Sequence, residues 1–464
     1  MAEMDPSALE TIPEIIELDA RRHLMRIPPE QDVPITDRVR RLIDTEAFQR
    51  LTGISQLGFV SLVYPGSRHT RFEHSLGVYR LSLLFLKRLC HDKRFLATVR
   101  RHEAELLIVA ALLHDIGHWP FCHLIEDLAL PGIPHHETFA AGFLEELRPL
   151  LLRDWGVTPE DILTLLEHSE IVPRSGEDRE EYQRRCRSFH ILMSILSGPI
   201  DIDKMDYLQR DSCAAGVPYG RHFDQERLIG SLCLNEEGSG LAITEKGKTA
   251  AELMVFARYV MFSEVYWHHT VRAATAMFQR MFEMAFRGDE FPTLVDWALK
   301  EPLPRWLERL RRRLQQCPNQ GITAAAALWD GLFGSTRTIY KRVWQFSILE
   351  EPTVYRKLAG RSREEQQKIV ASVIGHLNRM GIADTPLGLN DLLLDAPPVS
   401  MEIEFAIDVF YPNDGVYRRL NGVSPVIQTL ATQQFDDYVK RVRFYAPEPI
   451  AKKLKTLPFR EAWL

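Results

Sequence analysis

The chain has 464 residues, 45% hydrophobic and 26% charged, which is enough to bury a sizeable core and unlike the composition of a disordered segment. A net charge of −6, from 57 basic and 63 acidic residues, gives no global attraction to nucleic acid or to an anionic membrane. Six scattered cysteines without a C-x-x-C pair argue against a disulfide framework or a structural zinc site, and a reducing, cytoplasmic setting fits best. Met1-Ala2-Glu3-Met4-Asp5-Pro6 lacks the basic-then-apolar pattern of a signal peptide. The apolar run from Leu106 to Leu113 is far shorter than the roughly 20 residues a bilayer requires, so no membrane partner is expected.

In chain order, apolar residues recur at three and four: Val39, Leu42, Ile43 and Phe48, then Leu76, Tyr79, Leu83 and Leu86. That period predicts helices. Glu103 to Ile116 is apolar nearly all round and predicts a central buried helix, stopped by Gly117 and Pro120. Pro199 interrupts the next pattern, and Asp201 caps a new helix that carries Asp203 in its first turn. Leu232 to Ile243 reads as a hairpin around a Gly-rich turn, and a long helix is predicted from about Lys246 to Arg287. Residues 290–345 read as further helices. The tail changes period: Glu402 to Tyr411 alternates in twos and Val442 to Tyr445 is a second β-rich run. The expected architecture is mainly α, with an N-terminal segment (1–36), a helical catalytic core (37–290), a helical extension (291–390) and a small α/β subdomain (391–464). Arg309, Arg311, Arg312 and Arg313 read as a solvated helix face rather than a nucleic-acid contact.

His114 and Asp115 sit side by side at the end of the most apolar stretch, an expensive place for polar groups unless something compensates them. A divalent metal is the natural compensation, with Arg71-Phe72-Glu73-His74 and Asp201-Ile202-Asp203-Lys204 able to supply further ligands. Mixed imidazole and carboxylate ligation suits Mn, Fe, Co, Ni or Zn, while Mg stays open because oxygen ligands are present.

The three segments Gly66 to Gly77, His114 to His123 and Asp201 to Asp211, in that order, resemble the HD-domain phosphohydrolases, nearest the deoxynucleoside triphosphate triphosphohydrolase branch. The resemblance covers roughly residues 37–275. It implies an HD-domain fold, metal ligation by His74, His114, Asp115 and Asp203, and hydrolysis of a dNTP to deoxynucleoside and inorganic triphosphate by metal-activated water. It implies His136 as general acid with Glu126 as its partner, where the vertebrate member has Asp, and His118 and His123 as donors near the phosphates. Arg71 and Lys204 match phosphate contacts, Gln56, Tyr207 and Asp211 match sugar contacts, and Arg258, Tyr266 and His268 are further substrate-side candidates. A homo-oligomer is implied as well. Asp44 to Leu51 resembles a segment that contacts a nucleotide activator, but Thr52 stands where the vertebrate member has Arg. Two alternatives stay open: another HD phosphohydrolase acting on a monophosphate, cyclic nucleotide or alarmone, and a non-catalytic nucleotide sensor.

Overall fold

The computed structural model describes residues 7–130, 133–285, 291–316, 322–396, 406–430 and 439–464. Helices dominate, as the apolar period predicts. Helix α1 (Arg71–Leu89) starts at Thr70, whose backbone N–H donates to Glu73 Oε2 at 2.9 Å in a capping box. It packs against α2 (Arg101–Leu113), in which every residue from Leu106 to Leu113 is buried. This is the predicted central helix, and it ends so that His114 is its C-cap.

A short helix α3 (Cys122–Glu126) and then α4 (His136–Trp155) follow. Helix α5 (Ile202–Ala215) packs on α1, and the Asp201 side chain accepts from the Lys204 backbone N–H at 2.6 Å, which is the predicted cap. The long helix expected from Lys246 is broken. It runs as α6 (Lys248–Met261), a π-turn over Phe262–Tyr266, and α7 (His269–Ala285), while residues 286 and 287 lie outside the described residues. An apolar period of 3.6 does not register one wider turn, so the sequence pattern runs through the break.

The described strands form three small sheets. β1 (Leu24–Ile27) pairs with β2 (Gln31–Pro34) beside the core. The predicted hairpin is present as β3 (Leu232–Leu234) against β4 (Leu241–Thr244). After helices Phe291–Lys300, Leu303–Gln316 and Ile322–Phe333 come β5 (Lys341–Phe346), β6 (Leu393–Asp395), β7 (Asp408–Tyr411), β8 (Val416–Arg419) and β9 (Val442–Ala446). Residues 402–405 of the predicted alternating run lie outside the described residues. β7 adds parallel to the core hairpin, Ile243 opposite Val409, whereas β9 lies between β5 and β6. Strand pairing therefore crosses residue 390 in both sheets. A second apolar cluster, including Trp344, Phe346, Phe444 and Trp463, sits under the β5-β9-β6 sheet. No helix among the described residues is long and apolar enough to cross a membrane.

Candidate active site

The capping box fixes the first turn of α1, and this puts Arg71 and His74, three residues apart, on the face turned to α2 and α5. From α5 comes Asp203, and from the end of α2 the pair His114-Asp115. His74 Nε2 lies 3.3 Å from His114 Nε2 and 3.0 Å from Asp203 Oδ1. Asp115 closes the group at 3.5 Å from His114 Nε2 and 3.8 Å from His74 Nε2. Donor atoms of His74, His114 and Asp203 lie within 4.8 Å of one another, so a single ion can reach them together.

The opposite nitrogen of each imidazole is held. His74 Nδ1 faces Asp206 Oδ2 at 2.8 Å, and His114 Nδ1 faces the Ala111 carbonyl at 2.9 Å. Such outer partners fix the tautomer and leave Nε2 free for a metal. Asp206 is itself gripped by Arg210 at 2.8 and 2.7 Å, both fully buried. Gly77 makes room for this pair, since a Cβ there would fall 1.9 Å from Asp206 Oδ1. Burial pulls the His74 pKa down, but hydrogen bonds to Asp203 and Asp206 outweigh it and raise it to about 10. Burial likewise opposes ionisation of Asp115, yet Arg71, with Nη1 at 2.6 Å, and the surrounding imidazoles hold it well below the usual carboxylate range. The donor set of two oriented imidazoles and the Asp203 carboxylate, with the ionised Asp115 carboxylate beside it, fits a divalent ion.

A second imidazole group adjoins the first. Gly117 lets α4 approach, because a Cβ there would lie 2.3 Å from the His136 carbonyl. The His136 ring then sits 3.9 Å from that of His118, and its Nδ1 faces Glu126 Oε2 at 3.1 Å. The Glu126 carboxylate also accepts the His136 backbone N–H at 2.6 Å, so the longer Glu arm does reach the imidazole. Burial raises the Glu126 pKa, but His123 and His136 outweigh that and hold it far below its ordinary value. His118 Nδ1 lies 3.1 Å from Asp115 Oδ1, and burial together with Arg71 keeps its pKa well below 6.5, so this imidazole is neutral.

Next to these groups opens a cavity of ≈ 470 Å³ lined by Gln56, Arg71, His123, Tyr207, Asp211 and Tyr266 among others. Its far wall is aromatic. Phe121 stacks on Phe59 with centroids 4.9 Å apart while holding φ at +60°, a left-handed conformation rare for a residue with a side chain.

The HD domain family matches residues 71–211, and the HD associated region matches residues 223–296. An uncharacterized protein of Methanocaldococcus jannaschii is 34% identical over 432 residues, 92% of this chain and 79% of its own length. The chain belongs to the HD-domain family. Deoxynucleoside triphosphate triphosphohydrolase SAMHD1 of Gallus gallus is 31% identical over 263 residues, 53% of this chain and 42% of that protein. The chain spans about half the length of many of the curated relatives it matches. A phosphohydrolase from Bacteroides thetaiotaomicron has the same fold, with TM-score 0.62 at 22% identity, covering 92% of this chain and 100% of that one.

Within this HD-family site the remaining candidates fall into two groups. Asp211 lines the cavity with Oδ1 2.8 Å from His69 Nε2, and Oδ2 accepts the Tyr266 hydroxyl at 2.7 Å. The π-turn is what delivers Tyr266 to that carboxylate. Burial raises the Tyr207 and Tyr266 hydroxyls above 10, so both are neutral donors. Lys204, Arg258 and His268 do not line the cavity. Lys204 Nζ is tied to Asp201 and to the Gly198 carbonyl, while Arg258 lies over Phe262. His268 Nδ1 accepts the Thr270 N–H at 3.2 Å and so caps α7.

The sequence pattern marks no role for Asp206, Arg210 or Gly77, and it places Arg50 in the activator-like segment rather than beside the site. Arg50 donates to the Ile116 and His118 carbonyls and so holds the loop that follows His114. Asp206 had a readable signal: it lies one turn beyond Asp203, on the same side of α5.

Proposed function

We propose that this chain hydrolyses deoxynucleoside triphosphates to deoxynucleoside and inorganic triphosphate. His74, His114, Asp115 and Asp203 would hold the divalent ion, which when bound supplies Lewis acidity toward a phosphoryl oxygen and water. Arg71 contributes a fixed guanidinium at the phosphate end, and His118 and His123 add imidazole nitrogens there. Tyr207, Tyr266 and Asp211 would line the deoxyribose, with Gln56 beside them.

The observation that carries this reading is the His136–Glu126 pair set against the metal donor group. Attack at the α-phosphorus with loss of the nucleoside expels a 5′ alkoxide, a poor leaving group that needs a proton as it departs. Loss of pyrophosphate needs no such acid. An imidazole oriented through Nδ1 by a carboxylate can hold that proton on Nε2 and deliver it. The nucleotide activator expected along Asp44 to Leu51 would face a separate cavity of ≈ 710 Å³ lined in part by Glu46, Gln49, Arg50, Thr52, Glu146 and Glu301. Its lining sets these carboxylates, of which Glu301 is paired with Arg309, against the cations Arg50 and Lys300. The test is a panel of dNTPs and NTPs with Mn, Mg, Co or Ni, with the products separated. Deoxynucleoside plus triphosphate is expected, with the panel run both with and without an added nucleotide activator; monophosphate plus pyrophosphate would falsify the reading.

A further inference from the structure

The imidazoles of His118, His123 and His136 converge in a way that acid catalysis does not explain. His136 Nδ1 is hydrogen-bonded to Glu126 at 3.1 Å and His123 Nδ1 lies 3.5 Å from the same carboxylate, while His118 Nδ1, 3.1 Å from Asp115 Oδ1, is buried without a hydrogen-bond partner. In the His136 and His123 rings Nε2 is the nitrogen left over, and His118 Nε2 and His123 Nε2 stand 3.1 Å apart. The Cys122 sulfur completes the group, with one ligand atom from each of the four residues within 4.8 Å of the others.

An imidazole held through Nδ1 by a carboxylate, as His136 is by Glu126, is the outer arrangement of metal-binding histidines, and the donor atoms of the four residues lie close enough for one ion. In a tetrahedral site with metal–nitrogen bonds of roughly 2.0–2.1 Å, two nitrogens stand about 3.3 Å apart, close to the spacing here. Three imidazoles and a thiol form a softer donor set than the neighbouring His-His-Asp-Asp group. We infer that His118, Cys122, His123 and His136 form a second metal site, selective for a zinc-like ion, whose occupation shuts off hydrolysis.

Nitrogen and sulfur donors favour zinc or cobalt over magnesium and manganese, which prefer oxygen. Entry is open, because the His123 side chain is 53% exposed while His118 and Cys122 are buried. Burial pushes the Cys122 thiol up to about 12, so it is protonated at rest. On binding, the sulfur–metal bond replaces the S–H bond and that proton leaves to water, along with any proton on His136 Nε2. The ion then occupies the lone pair that His136 needs to carry its proton. This inhibitory consequence rests on the acid role proposed for His136; the binding does not.

Cobalt titration of the full chain separates the two. A cobalt–thiolate bond gives a near-ultraviolet charge-transfer band, and the His-His-Asp-Asp group contains no sulfur to produce one. The band is expected at about one equivalent in the native chain, lost in Cys122→Ser and weakened in His123→Gln. Cys122→Ser should keep basal hydrolysis while its zinc inhibition constant rises by more than the roughly 10- to 100-fold typical of losing an outer partner. No band in the native chain, or an equal band in Cys122→Ser, overturns the site. A Cys122-dependent band in a chain that hydrolyses no dNTP leaves the site standing and removes the proposed reaction instead.

Discussion

The two imidazole groups touch at Asp115 but are built from opposite kinds of chain. His74, His114 and Asp203 come from elements far apart in sequence, with His74 paired to Asp206 across 132 positions and only 1% exposed. His118, Cys122, His123 and His136 come from one short stretch, with His123 open to solvent. The first group exists only when α1, α2 and α5 are packed together. The second is set by a local turn, a short helix and the start of α4. Damage to the first should therefore cost its metal and fold together, whereas loss of His136 from the second should cost turnover and leave the first group's metal and the fold in place.

The largest expected effect comes from the first group. His114→Ala or Asp203→Asn should lose bound metal, read by elemental analysis, and lower kcat by on the order of 10³-fold or more. Chelation of the native chain should lower Tm, because an ion that binds only the folded state stabilises it, by about 3 kcal/mol at roughly 100 times its dissociation constant. An unchanged Tm after chelation would break the link between this group and the fold.

His136→Ala should keep the metal of the His74-His114-Asp115-Asp203 group and the Tm while kcat falls by about 10²- to 10⁴-fold. Equal loss of metal in this variant would erase the contrast between the groups. Asp206→Asn should weaken metal affinity by roughly 10- to 100-fold, read by metal titration, because His74 loses the partner that fixes its tautomer. The smallest effect expected is that of Gly77→Ala, which forces the Asp206–Arg210 pair aside. It should lower stability by about 1–3 kcal/mol in thermal or denaturant unfolding and weaken metal binding less than Asp206→Asn does, with kcat recovered at saturating metal.

The sequence displayed the first group because polar residues on otherwise apolar elements are conspicuous. His114-Asp115 ended the most buried helix, and Asp203 followed a readable cap. What holds those ligands was less visible. Asp206 and Arg210 have the i, i+4 spacing of an ordinary surface ion pair, and only packing shows both to be buried behind His74. His136 and Glu126 are ordinary residues in the sequence and became candidates through resemblance alone. The alternating run before Tyr411 announced a strand but not its partner: β7 adds to a hairpin more than 160 positions earlier, and strand periodicity carries no information about pairing. The π-turn that delivers Tyr266 was hidden for a related reason, since one wider turn leaves the apolar period nearly intact.

The central claim, that water attacks the α-phosphorus and the nucleoside leaves on a proton from His136, is tested most directly by hydrolysis of a dNTP in ¹⁸O-labelled water. The label should appear on a terminal phosphorus of inorganic triphosphate, with none in the deoxynucleoside. Label in the nucleoside 5′ hydroxyl, or in monophosphate or pyrophosphate, would contradict it.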